Sequence, residues 1–208
     1  MLEKKGFCKV LKSTYPRGYE YVPEGSMVTI NGKSWAVQCE ARDIPVEASV
    51  QIVENIGYMP TDAMLVQKGE PNQMIMADAA RIRMDFFKGE SGEMVSMKKI
   101  PVIYRDRWQL YQTEEGRVYG FDTEIMRVID FKAAEPETYM AASGTMGIWS
   151  FGGVAVFIAP GRFSYEDEEK IHHIAALDWE KQLSREDPVA NMSLFDGEDD
   201  VALMGPGE

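Results

Sequence analysis

Apolar positions along the chain recur mostly in short runs with a period of two, separated by Gly, Pro, Asn and Asp. That is the pattern of a β-rich body. The most apolar run, MGIWSFGGVAVFIA at 146–159, reads as two core strands turning at Gly152-Gly153. The runs 27–30 and 34–39 flank Asn31-Gly32-Lys33, a strong hairpin signal. A short strand is expected near 7–11, followed by a loop marked by Tyr15-Pro16 and Arg17-Gly18. Ile82, Met84 and Phe86 alternate with Arg83 and Asp85, which predicts a half-buried strand before a polar loop at 88–93. Strands at 100–104 and 108–112 flank Arg105-Asp106-Arg107, and 118–121 completes the meander. Further strands are expected at 64–66 and 139–142.

Helical spacing appears in three places. Pro45 opens a helix in which Val46, Val50, Val53 and Ile56 recur on one face, with Glu47 in the first turn and Gly57 as a left-handed cap. Asp122 is placed to cap a short helix over 124–131, with Ile125, Val128 and Ile129 on one side. Ser164, followed three residues later by Asp167, gives a loose capping box for a helix over 165–184. The expectation is an α+β fold: a mostly antiparallel β-sheet with two short helices and a longer, acidic C-terminal helix. The expected organisation is a body at 1–163 with a weak boundary near 88–94, the acidic helix at 164–187, and an acidic tail at 188–208. The tail lacks hydrophobic periodicity and is expected to be largely disordered. No internal repeat is visible.

The composition supports a packed core, with 45% hydrophobic and 11% aromatic residues in 208. No run approaches the roughly 18 to 20 apolar residues of a membrane helix. The N-terminus lacks the apolar segment of a secretion signal, so a cytoplasmic, non-membrane protein is expected. The net charge of −12 is uneven. Residues 1–165 hold 21 acidic and 19 basic side chains, and residues 166–208 hold 13 and 3. Such a balance argues against direct nucleic-acid binding, which needs clustered Lys and Arg. It suits a protein partner with a basic or apolar groove. A solvated acidic tail that only aids solubility is the plainer reading of the same charge.

The candidate chemistry is sparse. Cys8 and Cys39 form no CxxC pair and read as reduced thiols. The only histidines are adjacent, His172 and His173, so neither a metal nor a cofactor is expected. Glu168 and His172 are four residues apart, as are Glu169 and His173, so each pair can share a helix face as an acid–base pair or half a metal site. This keeps open an alternative, a small enzyme with a His/Glu cleft between the strands of 73–121 and that helix. No phosphate-binding loop or nucleophile elbow is present, and no catalytic residue is assigned.

The tail carries Asn191-Met192-Ser193-Leu194-Phe195. This peptide resembles the one with which bacterial DNA polymerases and repair proteins dock on the replicative sliding clamp. That peptide typically begins with Gln, followed by Leu or Met, then Ser or Asp, then Leu-Phe. Four positions match, and Asn191 stands where Gln is usual. The resemblance implies that Met192, Ser193, Leu194 and Phe195 contact a clamp. An apolar cluster among Asp196, Glu198, Asp199 and Asp200 is costly unless it packs on something, either a partner or the chain's own body. Glu166, Asp167, Glu168 and Glu169 form a second candidate set, placed to occupy a basic groove as phage-encoded nuclease inhibitors do. The expected function is therefore a non-enzymatic interaction module, of bacterial or mobile-element origin, acting on a nucleic-acid-processing machine. Oligomeric state is not indicated.

Overall fold

The N-terminal residues depart from the strand expected of them. A computed structural model describes residues 1–70, 72–76, 82–88 and 94–177, and in it Lys4–Thr14 form helix α1. Phe7, Val10, Leu11 and Thr14 are buried together, a spacing of three and four residues that a helix can place on one side and a strand cannot. Glu3 caps the helix by accepting from the Gly6 amide. The period-two reading of 7–11 failed because Cys8 and Lys9 interrupt a stripe that continues to Thr14.

The rest is an antiparallel sheet with helices laid across it. After α1 come β1 (Tyr19–Glu24), β2 (Met27–Asn31), β3 (Trp35–Glu40), α2 (Val46–Ile56), β4 (Met64–Val66) and β5 (Gln73–Met74). Then follow β6 (Val95–Tyr104), β7 (Trp108–Thr113), β8 (Val118–Asp122), α3 (Thr123–Met126), β9 (Glu137–Met140), β10 (Gly147–Phe151), β11 (Val154–Ile158) and α4 (Tyr165–Ala175). Among the described residues the sheet order is β5-β4-β1-β2-β3-β11-β10-β9-β6-β7-β8. The fold is α+β with a large antiparallel sheet, as expected. Both anticipated hairpins form, β2–β3 around Asn31 and β10–β11 around Gly152-Gly153. Gly57 caps α2 at φ 88°, a conformation that favours glycine.

Two other expectations are corrected, and the burial of a third element is added. Residues 84–87 form a short 3₁₀ turn instead of part of a strand. The Phe87 ring packs against Phe157 at 5.5 Å, and the Ile82 carbonyl accepts from the Gln38 amide at 3.1 Å. The segment thus lies across one face of the sheet without pairing in it. Helix α3 spans four residues, not eight. It stops because Ile129 bridges Leu2 and the Asp130 carboxylate takes the Lys132 and Ala133 amides. In α2 the buried positions are Ala48, Gln51 and Ile52, while Val46, Val50 and Val53 face outward at 74%, 51% and 38% exposure. The expected 165–184 helix is described as α4, which ends at Ala175; residues 176–177 are no longer helical, and 178–184 lie outside the described residues.

The topology holds a recurrence that the sequence hides. The order α1-β1-β2-β3-α2 returns as α3-β9-β10-β11-α4. Where the two units meet, Val37 of β3 pairs with Val156 of β11, 119 positions later (156 − 37). The same offset relates the helix caps Glu3 and Asp122, and the ends of α2 (46, 56) to those of α4 (165, 175). On one face of the sheet both units are apolar: Trp35, Val37 and Cys39 of β3 lie in the core with Val154, Val156 and Ile158 of β11. Helices α1 and α2, with Met126 of α3, cover that face.

The compact body comprises Met1–Ala175, and a second unit begins at Ala176. Within the body the large side chains meet at Trp149. Its ring is edge-on to Tyr111 at 5.4 Å and to Phe121 at 4.8 Å, and its indole N–H donates to the Tyr111 hydroxyl at 3.2 Å. Edge-to-face packing suits the aromatic quadrupole. Burial pushes the Tyr111 phenol up to about 12.

Candidate functional site

Helix α4 carries the sequence-predicted acidic set, and the structure divides it. Ser164 begins the helix as expected: its hydroxyl accepts from the Asp167 amide at 3.2 Å and donates to the Asp167 carboxylate at 2.9 Å. Asp167 turns inward. It accepts from the Tyr104 hydroxyl at 2.7 Å and pairs with the Arg105 guanidinium at 2.6 Å. Glu166, Glu168 and Glu169 are exposed. The first turn thus has one carboxylate, Asp167, committed to the fold and two, Glu166 and Glu168, presented to solvent, with Glu169 exposed just after it.

The electrostatics follow. The Tyr104 hydroxyl, then Ser164, with the Arg105 guanidinium adding to them, hold the Asp167 carboxyl below its ordinary range. Burial, reinforced by that carboxylate, pushes the Tyr104 phenol up. Arg105 and Asp106 sit in the β6–β7 turn at φ 49° and 52°, and the Arg107 amide bonds the Tyr104 carbonyl at 3.2 Å. Two central residues with positive φ match the twist of a tight hairpin, but neither is the usual Gly or Asn. The bond to Asp167 and the stacking of Arg105 over Tyr104 at 5.5 Å help hold Arg105 there.

Beside α4 lies a cleft of about 760 Å³. Glu168 and His172 line one side, with Arg117, Tyr119, Thr145 and Arg162 around them. The structure therefore brings Glu168 and His172 to a common surface, as their spacing predicted. His172 and His173 are both exposed. Among the described residues no three His, Cys, Asp or Glu side chains gather as a metal-holding group, and every buried side-chain nitrogen and oxygen has a hydrogen-bond partner. Of the two thiols, Cys8 is half-buried and Cys39 is buried, and burial pushes Cys39 up to about 12. Met192, Ser193, Leu194 and Phe195 lie outside the described residues.

Sequence reasoning missed the Tyr104–Arg105–Asp167 cluster. The signal for it was the Ser164 capping box, which placed Asp167 at the helix start but left its remaining acceptor capacity unassigned.

No protein-family model matches the chain, and no curated protein matches it in sequence. Among solved structures it is similar to the beta subunit from DNA polymerase of Streptococcus pyogenes, at 9% identity and a TM-score of 0.35, over 80% of this chain and 66% of that one. It is also similar to the DNA polymerase sliding clamp from Bacillus subtilis, at 9% identity and a TM-score of 0.33, over 79% of this chain and 64% of that one. The chain spans slightly less than two thirds of the length of each of these two.

Proposed function

We propose that the protein is a non-enzymatic interaction module that joins a nucleic-acid-processing machine by docking its C-terminal peptide on a bacterial sliding clamp. The observation that carries this reading is the peptide itself, Met192-Ser193-Leu194-Phe195, in sequence well beyond the compact body that ends at Ala175. Leu194 and Phe195 supply an adjacent pair of large apolar groups suited to a pocket, and such buried anchors dominate binding energy in small interfaces. The acidic residues around them keep the segment soluble before docking and steer it toward a basic rim.

The test is co-elution of the full chain with a purified bacterial clamp on a sizing column. Wild-type chain is expected to shift with the clamp, and Leu194→Ala combined with Phe195→Ala to remove the shift. A shift that survives the double variant would overturn the reading. The exposed Glu166, Glu168 and Glu169 favour a second reading, in which α4 blocks a basic groove of a nuclease. There the triple Gln variant, with Asp167 left intact, abolishes inhibition of the nuclease, whereas the tail variant does not.

A further inference from the structure

A groove of about 870 Å³ lies between α1, the residues from α3 to Lys132, and the β6–β7 hairpin. Lys5 and Lys9 of α1, Lys99 of β6, and Arg127 and Lys132 after α3 all line it. Five cationic side chains from separate parts of the chain therefore converge on one hollow. Three carboxylates also line it, and two of them are already committed: Glu3 to the Gly6 amide, and Asp130 to the Lys132 and Ala133 amides. Lys9 and Arg127 share Glu124, at 2.5 and 2.8 Å. For Lys5, Lys99 and Lys132 no ion pair forms among the described residues. The groove also holds exposed apolar surface, with Phe131 at 39% and Ile103 at 52% exposure, and the Lys99 ammonium lies 5.6 Å from the Phe131 ring centre. Its floor depends on Gly6, because a side chain there would collide with the Arg127 backbone carbonyl.

We propose that this groove binds single-stranded nucleic acid, with Lys5, Lys99 and Lys132 holding phosphates and Phe131 stacking on a base. A row of cations beside an exposed ring suits a strand whose bases are free to stack, and stacking of this kind tolerates any base. A duplex offers phosphates to the cations but keeps its base faces covered, which leaves Phe131 and Ile103 unused. The chain's net charge of −12 does not decide the matter, since 166–208 contributes −10 of it (3 − 13) and 1–165 only −2 (19 − 21). Screening limits exposed charges to about 8–10 Å at physiological salt, so the local lining governs binding. This proposal is independent of the clamp reading and rests on different residues.

The test is fluorescence anisotropy of a labelled 12-nucleotide oligo-dT, and of a 12-base-pair duplex, titrated with the full chain at a series of salt concentrations. Wild type is expected to bind the single strand more tightly than the duplex, with affinity falling as salt rises. Lys99→Glu combined with Lys132→Glu should weaken binding at least tenfold and flatten the salt slope by about 1.4, at ~0.7 per phosphate contact. Lys5→Glu, on another element, should reproduce the direction of that loss. Phe131→Ala should weaken single-strand binding about fivefold or more and leave the slope unchanged. Leu194→Ala with Phe195→Ala should change nothing, which separates failure here from failure of the clamp reading. All four groove side chains are on the surface, so circular dichroism should show each variant folded. Absence of single-strand binding, tighter binding to duplex, or binding indifferent to the lysine reversals would overturn the proposal.

Discussion

At the scale of single residues, burial decides what a substitution costs. Phe121 is fully buried, edge-on to both Tyr111 and Trp149. Phe121→Ala leaves a cavity in that cluster and is expected to cost about 3–5 kcal/mol in urea unfolding, with loss of near-ultraviolet signal from the aromatic cluster. Asp167 supports a prediction in pH. Its folded value lies below the ordinary carboxylate range, so its stabilising contribution is complete above about pH 4 and is lost as pH falls through the lower folded value. Asp167→Asn should lower the urea midpoint at pH 7 and make the decline toward pH 3 shallower than in wild type. A variant with the wild-type acid limb would show that the bonds to Tyr104 and Arg105 add nothing to stability. Residues of this kind were hard to read in advance. The sequence marks Asp167 as acidic and close to a helix start, but Tyr104 and Arg105 lie some sixty positions earlier and only the folded hairpin brings them to it.

At the scale of elements, the hairpins, α2 and the start of α4 were legible because local chemistry determines them: Asn31-Gly32, Gly152-Gly153, Gly57 and Ser164. Helix α1 was misread because residues 7–11 are too short a window to separate period two from period 3.6. The stripe at Val46, Val50 and Val53 announces a helix correctly but sits on its outer face. This gives a paired prediction. Ile52→Ala should cost about 2–5 kcal/mol, whereas Val50→Glu should stay within about 0.5 kcal/mol of wild type, both read from denaturant midpoints. Gly57→Ala forces a left-handed conformation on a residue with a Cβ and should cost about 1–2 kcal/mol in the same assay. The 119-residue recurrence was invisible because only one face keeps its chemistry. On the other face, Thr29 and Gln38 of the first unit hydrogen-bond each other at 3.3 Å. At the offset positions the second unit has Ile148 and Phe157, fully buried beneath Phe87 and its neighbours.

At the scale of the whole molecule, a β-rich body with nearly balanced charge precedes a strongly acidic C-terminal region. Summed charge points away from nucleic acid, while the groove between α1 and the segment after α3 collects lysines that sit far apart in sequence. No composition argument could have assembled Lys5, Lys99 and Lys132, because the antiparallel topology creates their proximity. The clamp-like peptide, by contrast, was legible at once, since a linear motif needs no fold to be read. The clamp reading assigns docking to that peptide alone. The most direct measurement is a titration of a fluorescein-labelled peptide spanning 188–200 with a purified bacterial clamp, followed by competition with unlabelled full chain. Saturable binding is predicted, with displacement by wild-type chain and none by the Leu194→Ala, Phe195→Ala variant. A peptide that fails to bind, or equal displacement by the variant, would contradict it.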